Sequence, residues 1–331
     1  MAAEEHGVST RVWRNGSLEA EDFPFEQISD YLEEPDCLVW VDLCAPDRAR
    51  LNALAEELSL DPHAIEDAVA RHERPKATRY ATHIFLSAYA LRFDLATGEL
   101  TAHQIAAFGL PQAVVTVRQS DDFDMGKVVE AWDDNTDLIK FGPRALIYGL
   151  FDVLVDGHFV AIESLDDAME QIEDVLFDET RESVRQVQRR SFALRKALVE
   201  MRRVILPMRE VVSTVMRRAQ EGNTYGELMP YYDDLYDHVL RASEWTESLR
   251  DMISSIFETN LSLADARLNA VMKKLTGWAA IIAVPTAITS FYGQNVPYPG
   301  YGTHAGFWVS VLIMIVMAAV LYVIFRRRDW I

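Results

Sequence analysis

Between residues 275 and 325 the sequence contains no lysine, arginine, aspartate or glutamate. The uncharged run is interrupted only by a segment rich in Pro, Gly and Tyr, at residues 296–306. Two apolar arms remain, at about residues 275–294 and 307–325, and each has close to the ~20 residues that a helix needs to cross ~30 Å of hydrocarbon. The absence of charge therefore predicts a transmembrane hairpin with a short external connection.

Cysteine is also scarce, because only Cys37 and Cys44 are present in 331 residues. Two thiols do not build a disulfide framework in a chain of this length, and they fit a reduced cytosolic setting better. No G-x-G-x-x-G fingerprint, phosphate-binding loop or H-E-x-x-H motif occurs, which leaves nucleotide and zinc-hydrolase chemistry without support. We therefore do not expect an enzyme. The first residues also lack the basic and apolar regions of a signal peptide.

Charge is distributed unevenly along the chain. The net charge is −19, and the last sixty residues carry +4, so the preceding 271 residues carry −23. An acidic body argues against nucleic acid as a partner and is compatible with cations. The basic residues that flank the two arms are Lys273, Lys274, Arg326, Arg327 and Arg328. By the positive-inside rule they lie on the cytoplasmic side, which predicts a multi-pass protein of the cytoplasmic (inner) membrane with both termini in the cytoplasm.

Three regions follow from the patterning. Residues 1–157 predict a cytosolic mixed α/β domain, because strand-like apolar segments alternate with helix signals such as the N-cap pair Asp61-Pro62. Its first hairpin is predicted at Asn15-Gly16, the strongest short turn signal. Residues 158–271 predict a long helical stalk, and residues 272–331 form the transmembrane hairpin with its basic tail.

The stalk is predicted from long stretches without helix breakers. Residues 158–206 and 231–276 contain neither Gly nor Pro, and residues 221–230 are predicted to reverse the chain between two long helices. A strict seven-residue apolar repeat follows, at Leu235, Ala242, Leu249, Ile256, Leu263 and Ala270. Such a repeat is typical of long helices packed side by side, and nothing interrupts the second helix before it enters the first membrane span.

The first span carries polar side chains that lipid does not tolerate without a partner. Thr286 and Thr289 should therefore face other helices or a water-filled lumen. Two helices cannot enclose a pore, so a conduit requires several copies around one axis. One helical face would line it, composed of Asn295, Thr289, Thr286, Ile282, Ala279, Leu275 and Met272. The alternative that this face makes only helix–helix contacts stays open at this point.

The order of these parts resembles the CorA family of divalent-metal transporters. The family ends its first span with a Y-G-M-N signature, and this chain has Tyr292, Gly293, Gln294 and Asn295 in that place. Upstream, Pro285-Thr286 stands where related chains carry Pro-Thr, and residues 232–238 resemble the family's Y-x-x-D-x-Y-D-H stalk motif. In the first domain, residues 40–43 (Trp-Val-Asp-Leu) and 74–76 (Arg-Pro-Lys) are also similar to the family.

The resemblance implies a funnel-shaped homopentamer in the lipid bilayer, with five copies of the first span around the pore. A ring of Asn295 side chains would receive a hydrated Mg²⁺, which keeps several of its waters. Thr286 would form a second polar ring, and Leu275 with Met272 an apolar constriction that closes by dewetting. The resemblance also assigns a regulatory cation to Asp234, and less firmly to Asp237, so that cytosolic metal keeps the pore shut.

Two departures from the family pattern leave the ion open. Gln294 replaces the middle Met of the signature, and the loop of residues 296–304 lacks an acidic residue. His304 leaves room for softer ions such as Zn²⁺, Co²⁺ or Ni²⁺. The first alternative is therefore a Zn²⁺ transporter of the ZntB type, with proton coupling. A second alternative, from another class, is a membrane-tethered metal sensor or scaffold that conducts nothing.

Overall fold

The computed structural model describes residues 7–70, 73–176, 181–219, 225–294 and 296–331. Contacts divide the chain into two compact units, unit 1 (Met1–Ser254) and unit 2 (Ser255–Ile331). The strands are β1 (Val8–Arg14), β2 (Ser17–Glu21), β3 (Cys37–Cys44), β4 (Lys76–Arg79), β5 (Ile84–Asp94), β6 (Glu99–Gly109) and β7 (Ala113–Arg118). The α-helices are α1 (Ile28–Leu32), α2 (Arg48–Glu57), α3 (Pro62–Val69), α4 (Gly126–Asp134), α5 (Thr136–Ile139), α6 (Pro143–Leu176), α7 (Arg181–Ala219), α8 (Tyr225–Tyr292) and α9 (His304–Arg327).

Unit 1 is built on one seven-stranded sheet in the order β2-β1-β3-β7-β6-β5-β4. Strands β3 and β7 are parallel, and the other neighbouring pairs are antiparallel. The predicted first hairpin is confirmed, because Asn15 and Gly16 connect β1 and β2 with φ of 49° and 80°. Both positive angles suit a two-residue turn whose twist matches the strands.

Helices cover both faces of the sheet, as expected when each strand alternates its side chains between two apolar layers. One layer contains Leu86 and Ile105 together with residues of α4, α6, α7 and α8. The other contains Phe85 and Phe108 together with residues of α2 and α3. The predicted helix start at Asp61 is confirmed, since its side chain accepts a hydrogen bond of 2.9 Å from the His63 amide.

Among the described residues, three helices are long and apolar enough to cross a membrane: α6, α8 and α9. Within the most apolar window of α6, 56% is buried inside the folded chain, against 6% in α8 and in α9. Helix α6 packs on β5, so its apolar face belongs to the core of unit 1. The two spans predicted from the uncharged run are therefore the ones whose apolar side chains remain outward.

The helical region departs from the predicted arrangement in two places. Residues 158–206 are not one straight helix, because α6 (Pro143–Leu176) and α7 (Arg181–Ala219) pack against each other. Residues 177–180 lie outside the described part of the chain. Helix α8 begins at Tyr225, so part of the predicted reversal, including Pro230, is already helical. Residues 220–224 lie outside the described part of the chain.

The fold class predicted from the sequence is confirmed: a mixed α/β domain, long helices and two apolar C-terminal helices. Helix α8 runs for 68 residues without interruption, as predicted from the lack of a breaker before the first span. The predicted second span lies inside α9, which Thr303 caps by accepting a bond from the Gly306 amide. The boundary near residue 157 stays a prediction, and α6 continues through it.

Candidate functional site

The membrane portion of α8 has two faces that differ in exposure. Gly277 is buried and Ile281, Val284, Ile288 and Tyr292 are half-buried, and their spacing of three and four residues places them on one side of the helix. The predicted pore face is exposed throughout its described positions, at Met272, Leu275, Ala279, Ile282, Thr286 and Thr289. The chain thus covers one side of its first span and leaves the predicted pore face open.

Two threonine hydroxyls on the open face are anchored to their own helix. Thr286 Oγ1 donates to the carbonyl of Ile282 at 2.9 Å, and Thr289 Oγ1 lies 3.0 Å from the Pro285 carbonyl oxygen and 2.9 Å from that of Thr286. Back-bonding of this kind satisfies the hydroxyl proton, and the oxygen lone pairs remain available as acceptors. They can therefore accept from the water shell of a cation.

The signature begins at Tyr292, the last residue of α8, and continues beyond the helix. The Gly293 amide donates to the Thr289 carbonyl at 2.8 Å, and the Gln294 amide donates to the Phe291 carbonyl at 3.3 Å. Gly293 and Gln294 are exposed. Asn295, the residue predicted to form the polar ring, lies outside the described residues.

An aromatic cluster holds the external connection against the end of α8. The ring of Tyr298 meets that of Tyr292 edge-on at 4.9 Å and that of Tyr301 at 5.3 Å. Its hydroxyl donates to the Tyr292 carbonyl at 3.4 Å. Edge-to-face contacts of this kind favour one fixed loop geometry, and the sequence pattern alone did not single out Tyr298.

The basic residues predicted to form a cytosolic ring are exposed in the described chain. Lys273 and Lys274 are exposed on α8, and Arg326, Arg327 and Arg328 are exposed at the end of α9. Arg326 and Arg327 lie in the last turn of α9, where positive charge is favoured by the helix dipole. Their arrangement into a ring needs other copies and stays a prediction.

In unit 1 the predicted regulatory residue Asp234 lies in an acidic group between α6 and α8. Its Oδ2 is 3.8 Å from His238 Nε2, and its side chain is 67% exposed. Burial raises the pKa of the Asp152 carboxyl, the neighbouring charge of Asp156 raises it further, and His238 opposes this shift. Asp234 also contributes to raising it, so these groups act on one another electrostatically.

Sequence reasoning missed Asp152, Asp156 and the role of His238 in this group. Asp152 and Asp156 are four residues apart on α6, which places them on the same face, and that spacing was the available signal. Asp237 is exposed on α8. Among the described residues of the single chain, no group of three or more His, Cys, Asp or Glu side chains is arranged to hold a metal ion.

Comparison with known proteins agrees with the fold and with the exposed spans. Residues 36–327 match the family model described as CorA-like Mg²⁺ transporter protein. The chain is 28% identical over 301 residues to the cobalt/magnesium transport protein CorA of Thermotoga maritima, covering 88% of this chain and 83% of that one. It is 28% identical over 309 residues to the putative metal ion transporter YfjQ of Bacillus subtilis, covering 93% of each.

A solved structure shares the fold along the whole length. The complete structure of the CorA magnesium transporter from Methanocaldococcus jannaschii superposes with a TM-score of 0.75 and 22% identity, covering 100% of both chains. The family model spans most of the chain, from β3 to the last turn of α9. The chain therefore belongs to the CorA-like Mg²⁺ transporter family, a family of divalent-cation transporters rather than enzymes.

Proposed function

We propose that copies of this chain assemble into a channel-like transporter that carries Mg²⁺ across the cytoplasmic membrane. The observation that carries the proposal is the open face of the first span, where Thr286 and Thr289 stand outward on a helix whose opposite side is covered. Polar groups on a lipid-exposed helix face are unfavourable, and we propose that this face lines a water-filled lumen rather than making only helix–helix contacts. Helices from further copies would surround that lumen.

A second exposed row supports assembly from several copies. Leu261, Leu268, Met272 and Leu275 recur at spacings of seven, four and three along α8 and are 66%, 62%, 51% and 63% exposed. Within unit 1 the same helix buries Leu235, Ala242 and Leu249 of the heptad repeat. Apolar rows with this period pack against a partner helix, and an identical chain supplies one. We take the number of five copies, and their funnel shape, from the family resemblance.

The chemistry of the pathway favours a hydrated hard cation. An Asn295 amide ring, followed by Thr286, offers neutral oxygens that bond water molecules without replacing them, which suits Mg²⁺. Tyr292, Gly293 and Gln294 would shape the entrance, and the apolar side chains Ile282, Leu275 and Met272 would form the constriction. Magnesium and cobalt appear together in the name of the Thermotoga maritima relative, so Co²⁺ is the second ion we expect to pass, and Ni²⁺ resembles it in size and charge.

Regulation by cytosolic metal is assigned to Asp234 and, less directly, to Asp237. Since the described residues of one chain hold no complete metal site, a neighbouring copy would supply the remaining ligands. Bound cations would then stabilise the assembly in which the pore is closed, by binding that state more tightly than the open one. We also propose that Lys273, Lys274 and Arg326–Arg328 face the cytoplasm, with both termini on that side.

Ion-resolved uptake into liposomes tests the proposal. Purified protein should admit Mg²⁺, and Asn295→Ala should reduce uptake strongly while Asn269→Ala, the same change on the exposed stalk, leaves it unchanged. Unchanged uptake in Asn295→Ala would remove the amide ring from the mechanism. Liposomes that stay tight to every divalent ion would favour the non-conducting sensor or scaffold.

One alternative within the transporter class has support from specific residues. Gln294 and His304 differ from the hard-cation pattern, and imidazole suits Zn²⁺. A transporter of the ZntB type would take up Zn²⁺ faster than Mg²⁺, and its uptake would follow an imposed pH gradient. Uptake of Mg²⁺ that is indifferent to the pH gradient would exclude this alternative.

A further inference from the structure

The chain reverses direction immediately after α9. The Trp330 amide donates to the Phe325 carbonyl at 2.9 Å, and the Asp329 amide donates to the Arg326 carbonyl at 3.4 Å. These two bonds, with Asp329 at φ 54°, form a Schellman motif, in which a left-handed residue ends the helix. The motif is completed by an apolar contact, since the Trp330 ring stacks on Phe325 at 5.4 Å and 12°.

This reversal places Ile331 against the first span. Gly277 of α8 is buried, and the first carbon of any side chain there would lie 3.0 Å from Ile331 Cγ1, 3.1 Å from Ile331 Cδ1 and 3.8 Å from Phe325 Cδ2. The two distances to Ile331 are tighter than ordinary van der Waals contact, and the distance to Phe325 is an ordinary contact. Glycine therefore makes a notch in α8, and the side chain of Ile331 fills it.

The notch lies behind the predicted constriction. Gly277 follows Leu275 by two residues, which is ~3 Å along the helix axis and ~200° around it. Leu275 is 63% exposed on the open face, whereas Gly277 is on the covered face. A side chain seated at Gly277 therefore supports, from the rear, the turn of α8 that carries Leu275.

We propose that Ile331 is a positioning residue for the constriction, held in place by the reversal at Asp329. The inference rests on the proposed transport function and extends it to the segment after α9. With Ile331 in the notch, the end of α9 is packed against the turn of α8 that carries Leu275. Packed interfaces rearrange between discrete states and do not deform continuously, so the two segments move together. Without it, the Leu275 turn loses its rear support and the pore closes less completely.

The packing contact is tested first, without any transport measurement. Gly277→Cys combined with Ile331→Cys should crosslink within one chain when membranes are treated with a short bifunctional thiol reagent. The matched control combines Ile331→Cys with Trp278→Cys, since Trp278 is the next residue of α8 and is 50% exposed. Each single-cysteine variant controls for the natural Cys37 and Cys44. Equal crosslinking of both pairs, or none in the 277–331 pair, would overturn the contact.

The positioning role is tested by uptake in liposomes that contain enough internal Mg²⁺ to close the pore. Ile331→Ala should raise this residual uptake about three- to tenfold, within the range found for residues that couple two states. Ile331→Val, which keeps most of the side chain, should remain close to wild type. Gly277→Ala should act in the same direction as Ile331→Ala, because its methyl group displaces the Ile331 side chain. Val323→Ala, an apolar truncation at an exposed position of α9, should change nothing.

Substitutions at Asp329 distinguish the effect of the chain reversal on residual uptake from the effect of the aspartate charge. Asp329→Gly accepts the left-handed conformation and should leave residual uptake at the wild-type value, whereas Asp329→Val, which is β-branched, should raise it. A merely destabilised protein would instead lose maximal uptake and still close.

Wild-type residual uptake in Ile331→Ala, with normal Mg²⁺ transport, overturns the positioning role alone. A wild-type protein that conducts nothing refutes the proposed function, and the gating role with it.

Discussion

The two units use the same kinds of apolar side chain in opposite directions. In unit 1, Phe85 and Phe108 are 0% exposed, on the face of a sheet that helices cover. In unit 2, Leu275 and Ile282 are 63% and 65% exposed. The first arrangement removes apolar surface from water inside one chain, whereas the second presents it outward.

This difference shows what each unit needs to be stable. Unit 1 has its own core, which stabilises the fold by roughly 25 cal/mol for each Å² of apolar surface that it buries. The spans of unit 2 bury little of their apolar surface within the chain, so they need a bilayer and neighbouring helices. Because lipid tails are as apolar as leucine, helices in a bilayer associate through close packing and not through the hydrophobic effect. Mutations should therefore act on folding in unit 1 and on transport in unit 2.

The largest expected effect is a core truncation in unit 1. Phe108→Ala removes a ring that packs against Phe85 at 5.2 Å and His83 at 5.7 Å, and should lower the free energy of unfolding by about 3–5 kcal/mol. Urea unfolding of the full chain in detergent, followed by far-UV circular dichroism, measures it. A loss below ~1 kcal/mol would mean that the sheet does not carry the stability of unit 1.

The next effect is a pH dependence that arises in the same core. His158 is buried, with Nε2 at 2.8 Å from the Tyr89 carbonyl oxygen, and burial lowers its pKa to about 4. The pKa of His158 in the folded protein lies below its unfolded value of ~6.5. The contribution of neutral His158 to stability is therefore complete above pH ~6.5 and is lost as the pH falls through about 4. The free energy of unfolding should fall by up to ~3 kcal/mol across this window.

His158→Gln provides the control for that measurement. The glutamine amide keeps a donor for the Tyr89 carbonyl but does not titrate. The variant should therefore show a flatter dependence of unfolding free energy on pH between 6.5 and 4. An identical slope in both proteins would assign the acid sensitivity to other groups.

A smaller effect, of opposite sign, is expected at Asp152. Burial and then the charge of Asp156 raise the pKa of Asp152 in the folded protein. The folded state therefore loses stability as the pH rises through this raised pKa and the carboxyl ionises. Asp152→Asn should therefore raise the thermal unfolding midpoint at pH 7 in the absence of divalent metal. The gain should disappear as the pH falls below ~3.9, where the carboxyl is protonated in both states. A lower midpoint at pH 7 would contradict this assignment.

The smallest folding effect is expected on the open face of unit 2. Ile282→Ala should change the free energy of unfolding by no more than ~0.5 kcal/mol, as for other exposed positions, and should still alter Mg²⁺ uptake because it widens the proposed constriction. Parallel unfolding and uptake measurements on the same preparation separate the two. A large loss of stability with normal uptake would place Ile282 in a folding contact rather than in the pathway.

Local signals predicted much of the fold. Asn15-Gly16 and Asp61-Pro62 fixed a turn and a helix start through backbone geometry, and the uncharged run from residue 275 predicted both spans. The continuation of α6 through Gly157 was not predicted, because the buried face on both sides outweighs the ~1 kcal/mol that a helical glycine costs. Helices α6 and α7 pack against each other although residues 158–206 contain no Gly or Pro, so helix-breaker signals do not predict this arrangement.

Contacts between distant residues were the harder part of the candidate site. Tyr298 reaches Tyr292, and Ile331 reaches Gly277, through loop and helix-end geometry that spacing alone does not encode. The helix-ending signal after α9 is also hidden, since Asp329 occupies a position that usually holds Gly or Asn. The acidic group of unit 1 also depends on distant contacts, because α6 supplies Asp152 and Asp156 whereas α8 supplies Asp234 and His238. The two pairs are more than 75 residues apart in the chain.

Thiol accessibility along the first span tests the central claim most directly. Thr286→Cys on the open face should react with a small membrane-impermeant thiol reagent in intact liposomes, and the reaction should block Mg²⁺ uptake. Ile288→Cys, on the half-buried face of the same helix, should remain unmodified and conduct normally. Equal reaction at both positions, or protection of Thr286→Cys in every condition that permits uptake, would contradict a water-filled path along this face.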